Sequence, residues 1–328
     1  MSAIETRHLT KAYNSFKAVD DLNIMVETGE IFGLLGPNGA GKTTTISMLC
    51  TILKPTSGNA TVNGYDIVKE ANMVRKSIGI VFQDPSIDDR LTGRENLYMH
   101  ANLYGVPVSE QTDRINRVLK LIELEDRADD LLRTYSGGMR RRLELGRGLI
   151  HYPKVLFLDE PTVGLDPQTR DHIWKYIREL KQAHNITVVL TTHYMDEAER
   201  LSDRIAIMDN GKIVVLDTTS KLKEALEGDV VVVRANNIAA LAELVTKWLG
   251  FNQKQVVDGA LEITVRNGKV VMPRIMELAT QNNIYVESIV LREPNLEDVF
   301  LHHTGRNIRE DTTRELHGAA AARRRAIR

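Results

Sequence analysis

"LLGPNGAGKTTT", residues 34–45, decides the fold. Gly36 is followed by four residues and then by Gly41-Lys42-Thr43, after an apolar strand-like run and before a helix-period stretch carrying Ile46, Leu49, Ile52 and Leu53. This is a phosphate-binding loop in the strand-loop-helix setting it requires. Glycines allow a tight turn whose N–H groups aim inward, and the helix that follows adds its positive end, so backbone holds most of a triphosphate. On this reading Gly36, Pro37, Asn38, Gly39, Ala40, Gly41, Lys42, Thr43 and Thr44 contact the nucleotide. Lys42 supplies a point charge for the outer phosphates, and Thr43 offers its hydroxyl to Mg²⁺.

"VLFLDEP", residues 155–161, is an apolar strand ending in two carboxylates. Sheets of the α/β kind place ligands at the carboxyl ends of their strands, where Asp159 suits a water-mediated hold on Mg²⁺ and Glu160 suits polarisation of an attacking water. "VVLTTH" delivers His193 to a strand end in the same way; a neutral imidazole can donate or accept beside a γ-phosphate.

A second glycine pair stands in "TYSGGMRRRLELG", residues 134–146. Ser136 is placed to cap a helix, and Gly137 and Gly138 let backbone N–H groups approach a phosphate with no Cβ between. With Met139, Leu143, Gly146, Leu149 and Ile150 spaced for one packed face, Arg140 to Arg142 read as the solvated face; the other reading is contact with a phosphate or a neighbouring subunit.

The chain has 328 residues, enough for a large core and a smaller second one. A net charge of −1 with 27% charged residues speaks against a general nucleic-acid binder. The single cysteine, Cys50, excludes an intrachain disulfide, which fits a cytoplasmic address. The N-terminus is charged where a signal peptide would be apolar, and no later apolar run approaches the roughly 18 residues of a membrane span. Any membrane spans are expected on another chain.

Strand signals fall at about 19–27, 31–35, 78–82, 155–158, 186–191, 204–208 and 212–216, several separated by helix-period stretches, which predicts an α/β domain on a mostly parallel sheet. Residues 92–150 carry helical spacing and predict an inserted helical subdomain. Beyond about residue 220 the order becomes strand 229–234, helix 238–249, strand 254–257, strand 261–265, helix 270–282 and strand 284–291, a ferredoxin-like α+β pattern. The expected division is therefore 1–218, a regulatory or dimerisation domain at 219–305, and a tail at 306–328 that is frayed or disordered, or else a basic patch.

Taken in order, "GPNGAGKT", "YSGGM", "VLFLDE", "GLDP" and "TTHYMDEA" resemble the ATP-binding cassette of ABC transporters over residues 1 to about 218. The resemblance implies a P-loop NTPase that hydrolyses ATP with Mg²⁺. It adds Tyr13 as the aromatic that stacks on adenine, Gln83 as the glutamine at Mg²⁺ and the membrane interface, and Asp166 as a contact between subunits. Apart from it, Tyr13 reads as a surface aromatic, Gln83 as a loop residue and His193 as a satisfied strand-end histidine. It also gives the second glycine pair a purpose: two cassettes meet head to tail, and Ser136, Gly137 and Gly138 of one cover the ATP bound to the other.

The commonest signature in that family begins with leucine and ends with glutamine, whereas this chain has Tyr135 and Met139. That variant, with "PTVGLDP" and the C-terminal "PNLEDVFLHHTG" (294–305), resembles the daunorubicin/doxorubicin-resistance type of exporter ATPase. Such a likeness implies a homodimer on the cytoplasmic face of the membrane, paired with a multi-span permease of the ABC-2 type that exports drugs, lipids or polysaccharides. Residues 84–100 would line the groove that receives the permease, and no nucleic-acid partner is expected. Two other readings are a soluble cassette ATPase acting on ribosomes or DNA, weakened by the single cassette, and a purely regulatory nucleotide-binding module, opposed by Glu160 and His193.

Overall fold

The strand leading into the glycine loop, Ile31–Leu35, is buried at every position in the computed structural model, and so is Val155–Asp159, which leads into the two carboxylates. Strands apolar on both sides need a layer on each face. The structure describes residues 2–83, 86–226, 228–249, 254–257 and 259–304, and the sequence-predicted tail lies outside them. The described residues divide between Thr218 and Thr219 into two compact units.

The first unit comprises β1 (Ser2–Tyr13), β2 (Phe16–Leu22), β3 (Met25–Glu27), β4 (Ile31–Leu35), α1 (Lys42–Leu49), β5 (Ser57–Val62), β6 (Tyr65–Asp66), α2 (Ala71–Ser77) and β7 (Ile78–Val81). It continues through α3 (Gly93–Leu103), α4 (Val108–Leu121), α5 (Gly137–Leu149), β8 (Val155–Asp159), α6 (Pro167–His184), β9 (Thr187–Thr192), α7 (Met195–Leu201), β10 (Arg204–Asp209) and β11 (Lys212–Asp217). Its main sheet has the order β11-β10-β4-β9-β8-β7, parallel throughout except for the β10–β11 hairpin. Asn210 and Gly211, with φ of 46° and 79°, make the left-handed turn that hairpin needs.

Alternate side chains of the main sheet enter different layers. Phe32, Leu34, Phe157 and Val189 pack with Leu9, Val19, Ile46 and Leu49. Ile31, Leu156, Leu158 and Leu190 pack with Leu97, Leu119, Leu143 and Ile173 from the helical layers. The mostly parallel α/β architecture expected from the sequence is the one found, with α3, α4 and α5 inserted between β7 and β8.

Three local readings differ. The segment 19–27 is broken into β2 and β3; Asp21 adopts φ 58°, and the Thr6 hydroxyl donates to Leu22 O and accepts from Ile24 N, stitching the break at 2.9 Å on each side. α1 ends at Leu49 rather than continuing through Leu53, because Thr51 takes φ 64°, and Ile52 is 56% exposed. The antiparallel sheet centred on β1, with β2, β3 and β5 paired to it and β6 to β5, includes β1, β5 and β6, which carry no apolar run strong enough to read.

The second unit contains α8 (Thr219–Glu224), β12 (Asp229–Ala235), α9 (Ile238–Leu249), β13 (Lys254–Val257), β14 (Ala260–Val265), α10 (Gly268–Gln281), β15 (Val286–Arg292) and α11 (Leu296–Thr304). Its sheet is antiparallel with the order β13-β14-β12-β15, the split βαβ arrangement of a ferredoxin-like fold. Val231, Val233, Leu261 and Ile263 pack against Leu241, Val245 and Ile275. Arg292 joins Glu262 at 2.9 Å and Asp298 at 2.6 Å, tying α11 to the sheet.

Candidate functional site

The carboxyl ends of β4, β9 and β8 lie side by side, and each delivers chemistry. From β4 the chain enters the glycine loop. A Cβ at Gly36 would stand 2.2 Å from Met208 O, and one at Gly41, where φ is 107°, would stand 2.3 Å from Ala18 O, so neither position admits a side chain. Gly41 then caps α1 without a side-chain acceptor, leaving the first N–H groups of that helix for a ligand.

Lys42 is buried and folds back over the loop, its Nζ donating to Gly36 O at 2.7 Å and Pro37 O at 2.9 Å. Its ammonium also lies 3.6 Å from Glu160 Oε1. Thr43 Oγ1 donates to Asp159 Oδ1 at 3.2 Å, bringing together the hydroxyl and carboxylate read from the sequence as Mg²⁺ partners. The loop fits a phosphate chain: Gly39, at φ 75°, has open space where a Cβ would stand, and the buried cation sits beneath the turn. Among the described residues no three His, Cys, Asp or Glu side chains form a metal cluster. The Thr43 hydroxyl and Asp159 carboxylate are hard oxygen donors, and they suit a cation that keeps waters and takes phosphate oxygens as further ligands, as Mg²⁺ does.

Glu160 follows β8 in a left-handed conformation, φ 48°, and is only 8% exposed. Its N–H donates to Thr191 O at 3.2 Å and Thr191 Oγ1 at 3.1 Å, and the Thr191 hydroxyl donates to Asp159 Oδ1 at 2.5 Å. His193 Nδ1 lies 3.1 Å from Glu160 Oε1. Burial alone raises the Glu160 carboxyl, but the His193 hydrogen bond and the nearby charges of His193 and Lys42 outweigh it and hold the pKa below the ordinary carboxylate value. The site thus presents an ionised carboxylate, an oriented imidazole and a buried ammonium around one phosphate loop.

The other sequence-predicted residues are more dispersed. Tyr13 is half exposed at the β1–β2 hairpin, with Lys11 Nζ 5.2 Å from its ring centroid. Ala18 of the same hairpin lies against Gly41, so the hairpin borders the loop. Gln83 is exposed just past β7. Asp166 caps α6, accepting from Thr169 N at 3.0 Å and Thr169 Oγ1 at 2.6 Å, and these bonds lower its pKa. Thr44 is half-buried in the first turn of α1, while Asn38 is exposed.

Ser136 caps α5, its Oγ accepting from Met139 N at 3.2 Å. Ser136 and Gly137 are exposed, and Gly137 has open space where a Cβ would stand. Tyr135, by contrast, is buried: its hydroxyl donates to Arg127 O at 2.5 Å, so the departure from leucine serves packing inside the helical subdomain.

Arg141 corrects the reading of a solvated arginine face. It is 8% exposed and donates to main-chain carbonyls of Phe82, Asp159, Glu160 and Pro161. Arg140 pairs with Asp89 at 2.8 Å, and Arg142 donates to Ile122 O at 3.0 Å. Also missed were Thr191 and Glu197; the latter is fully buried and accepts from Thr162 Oγ1 at 2.7 Å and Trp174 Nε1 at 3.0 Å. Thr191 was legible only as a strand residue, since nothing in its type shows that its hydroxyl turns toward Asp159.

Comparisons with known proteins agree with this fold. The ABC transporter family matches residues 19–163, and the C-terminal domain of DrrA1-3-like ATP-binding proteins matches residues 218–304. The daunorubicin/doxorubicin resistance ATP-binding protein DrrA of Streptomyces peucetius is 41% identical, over 95% of this chain and 96% of that protein. The linearmycin resistance ATP-binding protein LnrL of Bacillus subtilis is 38% identical over 94% and 100%, and a Nod factor export ATP-binding protein of Ralstonia nicotianae is 38% identical over 92% and 94%. Among solved structures, cbiO1 of Clostridium perfringens, part of the ABC transporter complex cbiONQ, superposes with a TM-score of 0.64 at 29% identity, over 69% of this chain and 93% of that one. A dimeric post-hydrolysis state of the cassette MJ0796 bound to ADP and Pi gives a TM-score of 0.60 at 26% identity, over 66% and 98%.

Proposed function

The chain belongs to the ATP-binding subunits of ABC transporters, in the branch ending in a DrrA-like domain, and on that premise we propose that it powers export of a drug-like, lipid or polysaccharide cargo through a separate ABC-2 type permease. It is an ATPase, and cassettes of its kind work as dimers with a membrane permease. Among the described residues no helix is long and apolar enough to cross a membrane. That fits a subunit held peripherally on the cytoplasmic face.

The observation that carries the proposal is the convergence of Lys42, Glu160 and His193 on the glycine loop. Loop amides and Lys42 bind and orient the phosphates of ATP. Glu160, held ionised, takes the proton of the attacking water, while His193 fixes the carboxylate and faces the γ-phosphate. Thr43 and Asp159, with Gln83 as a further ligand by family resemblance, would hold Mg²⁺, which would supply neutralisation of phosphate charge. Ser136, Gly137 and Gly138 of a second, head-to-tail copy complete the cradle; the exposure of Ser136 and Gly137 and the open space at Gly137 favour that use. ATP is then gripped by both chains only in the closed dimer, so hydrolysis releases the contact and opens it.

For the permease, α3 exposes Met99 and Leu103, 37% and 72% accessible, close in sequence to the loop after Gln83. Exposed apolar residues beside a nucleotide-linked loop suit a docked helix of a partner. The test is transport in inverted vesicles carrying this chain and its permease: ATP-dependent cargo uptake is expected with the native chain and lost with Lys42→Ala. Equal uptake by both would overturn the proposal.

A further inference from the structure

Arg141 has five N–H donors, and all five have acceptors. Nε donates to Pro161 O at 2.7 Å. Nη1 donates to Phe82 O at 2.7 Å and Glu144 Oε2 at 2.8 Å. Nη2 donates to Asp159 O at 3.3 Å and Glu160 O at 3.2 Å. A buried guanidinium spent almost wholly on carbonyls of two loops is a tie between backbones, and its planar fork sets their spacing.

The tie has a further strand. Glu144, one turn along α5, uses its other oxygen to accept from Ser86 N at 2.9 Å. The Arg141–Glu144 pair therefore holds the chain on both sides of Gln83, at Phe82 and at Ser86, while Arg141 alone holds the run from Asp159 to Pro161. Glu160 needs such a restraint. Its φ of 48° is disfavoured for any residue with a Cβ, and it persists because Thr191 fixes its N–H and Arg141 its carbonyl.

We propose that Arg141 is a positioning residue for ATP hydrolysis: it fixes the backbone from which Glu160 and Gln83 project, and it does so from the helix whose N-terminus carries Ser136. One helix then governs two sites, its own chain's through Arg141 and its partner's through the serine and glycines. The inference rests on the reading of Glu160 as the base. It reaches beyond it by naming what holds that base in register.

The experiment measures steady-state ATP hydrolysis, ATP affinity and melting temperature of the full chain carrying Arg141→Lys, beside Glu160→Gln. Lysine keeps the charge next to Glu144 but has no planar fork to span four carbonyls. The expected result is a kcat lower by at least about tenfold, with KM for ATP within about twofold, as for a displaced catalytic group rather than a lost binding contact. The melting temperature should stay within a few degrees, which separates positioning from general loosening. A folded Arg141→Lys whose kcat is within twofold of the native value overturns the inference. So does one in which kcat, KM and melting temperature deteriorate together. Should that variant not fold, Glu144→Gln, which keeps the acceptor for Ser86 but removes the charge, is expected to lower kcat about threefold at unchanged KM; an unchanged kcat there overturns the inference. Active Glu160→Gln would instead sink the reading of the base itself, whatever Arg141→Lys does.

Discussion

His193 Nδ1 stands 3.1 Å from Glu160 Oε1, the same oxygen that Lys42 Nζ approaches to 3.6 Å. A carboxylate so placed stays ionised although it is buried, since its pKa lies below the ordinary value of 4.5. Replacing it with glutamine preserves shape and removes the proton acceptor. Glu160→Gln is expected to lower kcat by about 10²–10⁴ while leaving ATP affinity within a few-fold, and to accumulate as an ATP-dependent dimer. Stopped-flow hydrolysis and size-exclusion chromatography with ATP check both parts. A variant that remains monomeric with ATP counts against the closed-dimer mechanism.

The pH dependence has a defined sign. With a folded-state pKa below its unfolded one, Glu160 contributes stability that is present above pH 4.5 and is lost as pH falls through the lower folded value. Activity that depends on its ionised form should therefore not fail for want of a base between pH 5 and 7, approximately. A kcat profile falling with an apparent pKa near 6.5 in that interval, unchanged in His193→Gln, would contradict this.

Gly137 and Gly138 are expected to respond differently to alanine. A Cβ at Gly137 meets open space, whereas one at Gly138 comes within 2.7 Å of Thr169 Cγ2. Gly137→Ala should fold about as well as the native chain, since a Cβ there meets open space, yet lose hydrolysis because the new methyl enters the phosphate cradle. Gly138→Ala should lose both, since Thr169 must move. Paired melting and ATPase measurements decide; full activity in Gly137→Ala would show that no ligand approaches there.

Burial pushes His100 down to about 4, and the neighbouring charges of Arg147 and His151 act in the same direction. Arg147 Nη1 lies 3.3 Å from His100 Nε2, so the neutral ring accepts there, and protonation would set a cation against a cation. Stability from this residue is full above pH 6.5 and declines as pH falls toward 4, by on the order of 1–2 kcal/mol after solvent screening. His100→Asn should flatten the melting-temperature profile between pH 6.5 and 5, measured by calorimetry; an unchanged slope would place the dependence elsewhere.

How much of this was legible depends on where the signal resides. The glycine loop and the carboxylate strand could be read because backbone approach and strand burial each demand a residue type at a fixed spacing. The main sheet followed, since β4 and β8 are apolar on both faces and β9 carries the Val188-Val189-Leu190 run. β1 could not be read: its burial alternates irregularly through charged residues, and its partners β3 and β5 are distant in sequence or short. Arg141 was hidden for a different reason. Helical periodicity marks an arginine as outward, and only the fold shows that another loop's carbonyls occupy that side. Tyr135 looked like a deviation in a binding motif, but its hydroxyl satisfies Arg127 O inside a core.

The central claim is that two chains share each ATP, the glycine loop of one facing Ser136 of the other. Mixed dimers test it most directly, with Lys42→Ala on one chain and Ser136→Arg on the other, each of which is expected to be inactive as a homodimer. In a shared arrangement both lesions fall in one site and the second site is intact, so the mixed dimer should recover up to about half the native hydrolysis rate. If each chain instead completes its own site, both sites are damaged, and a mixed dimer as inactive as its parents would contradict the account.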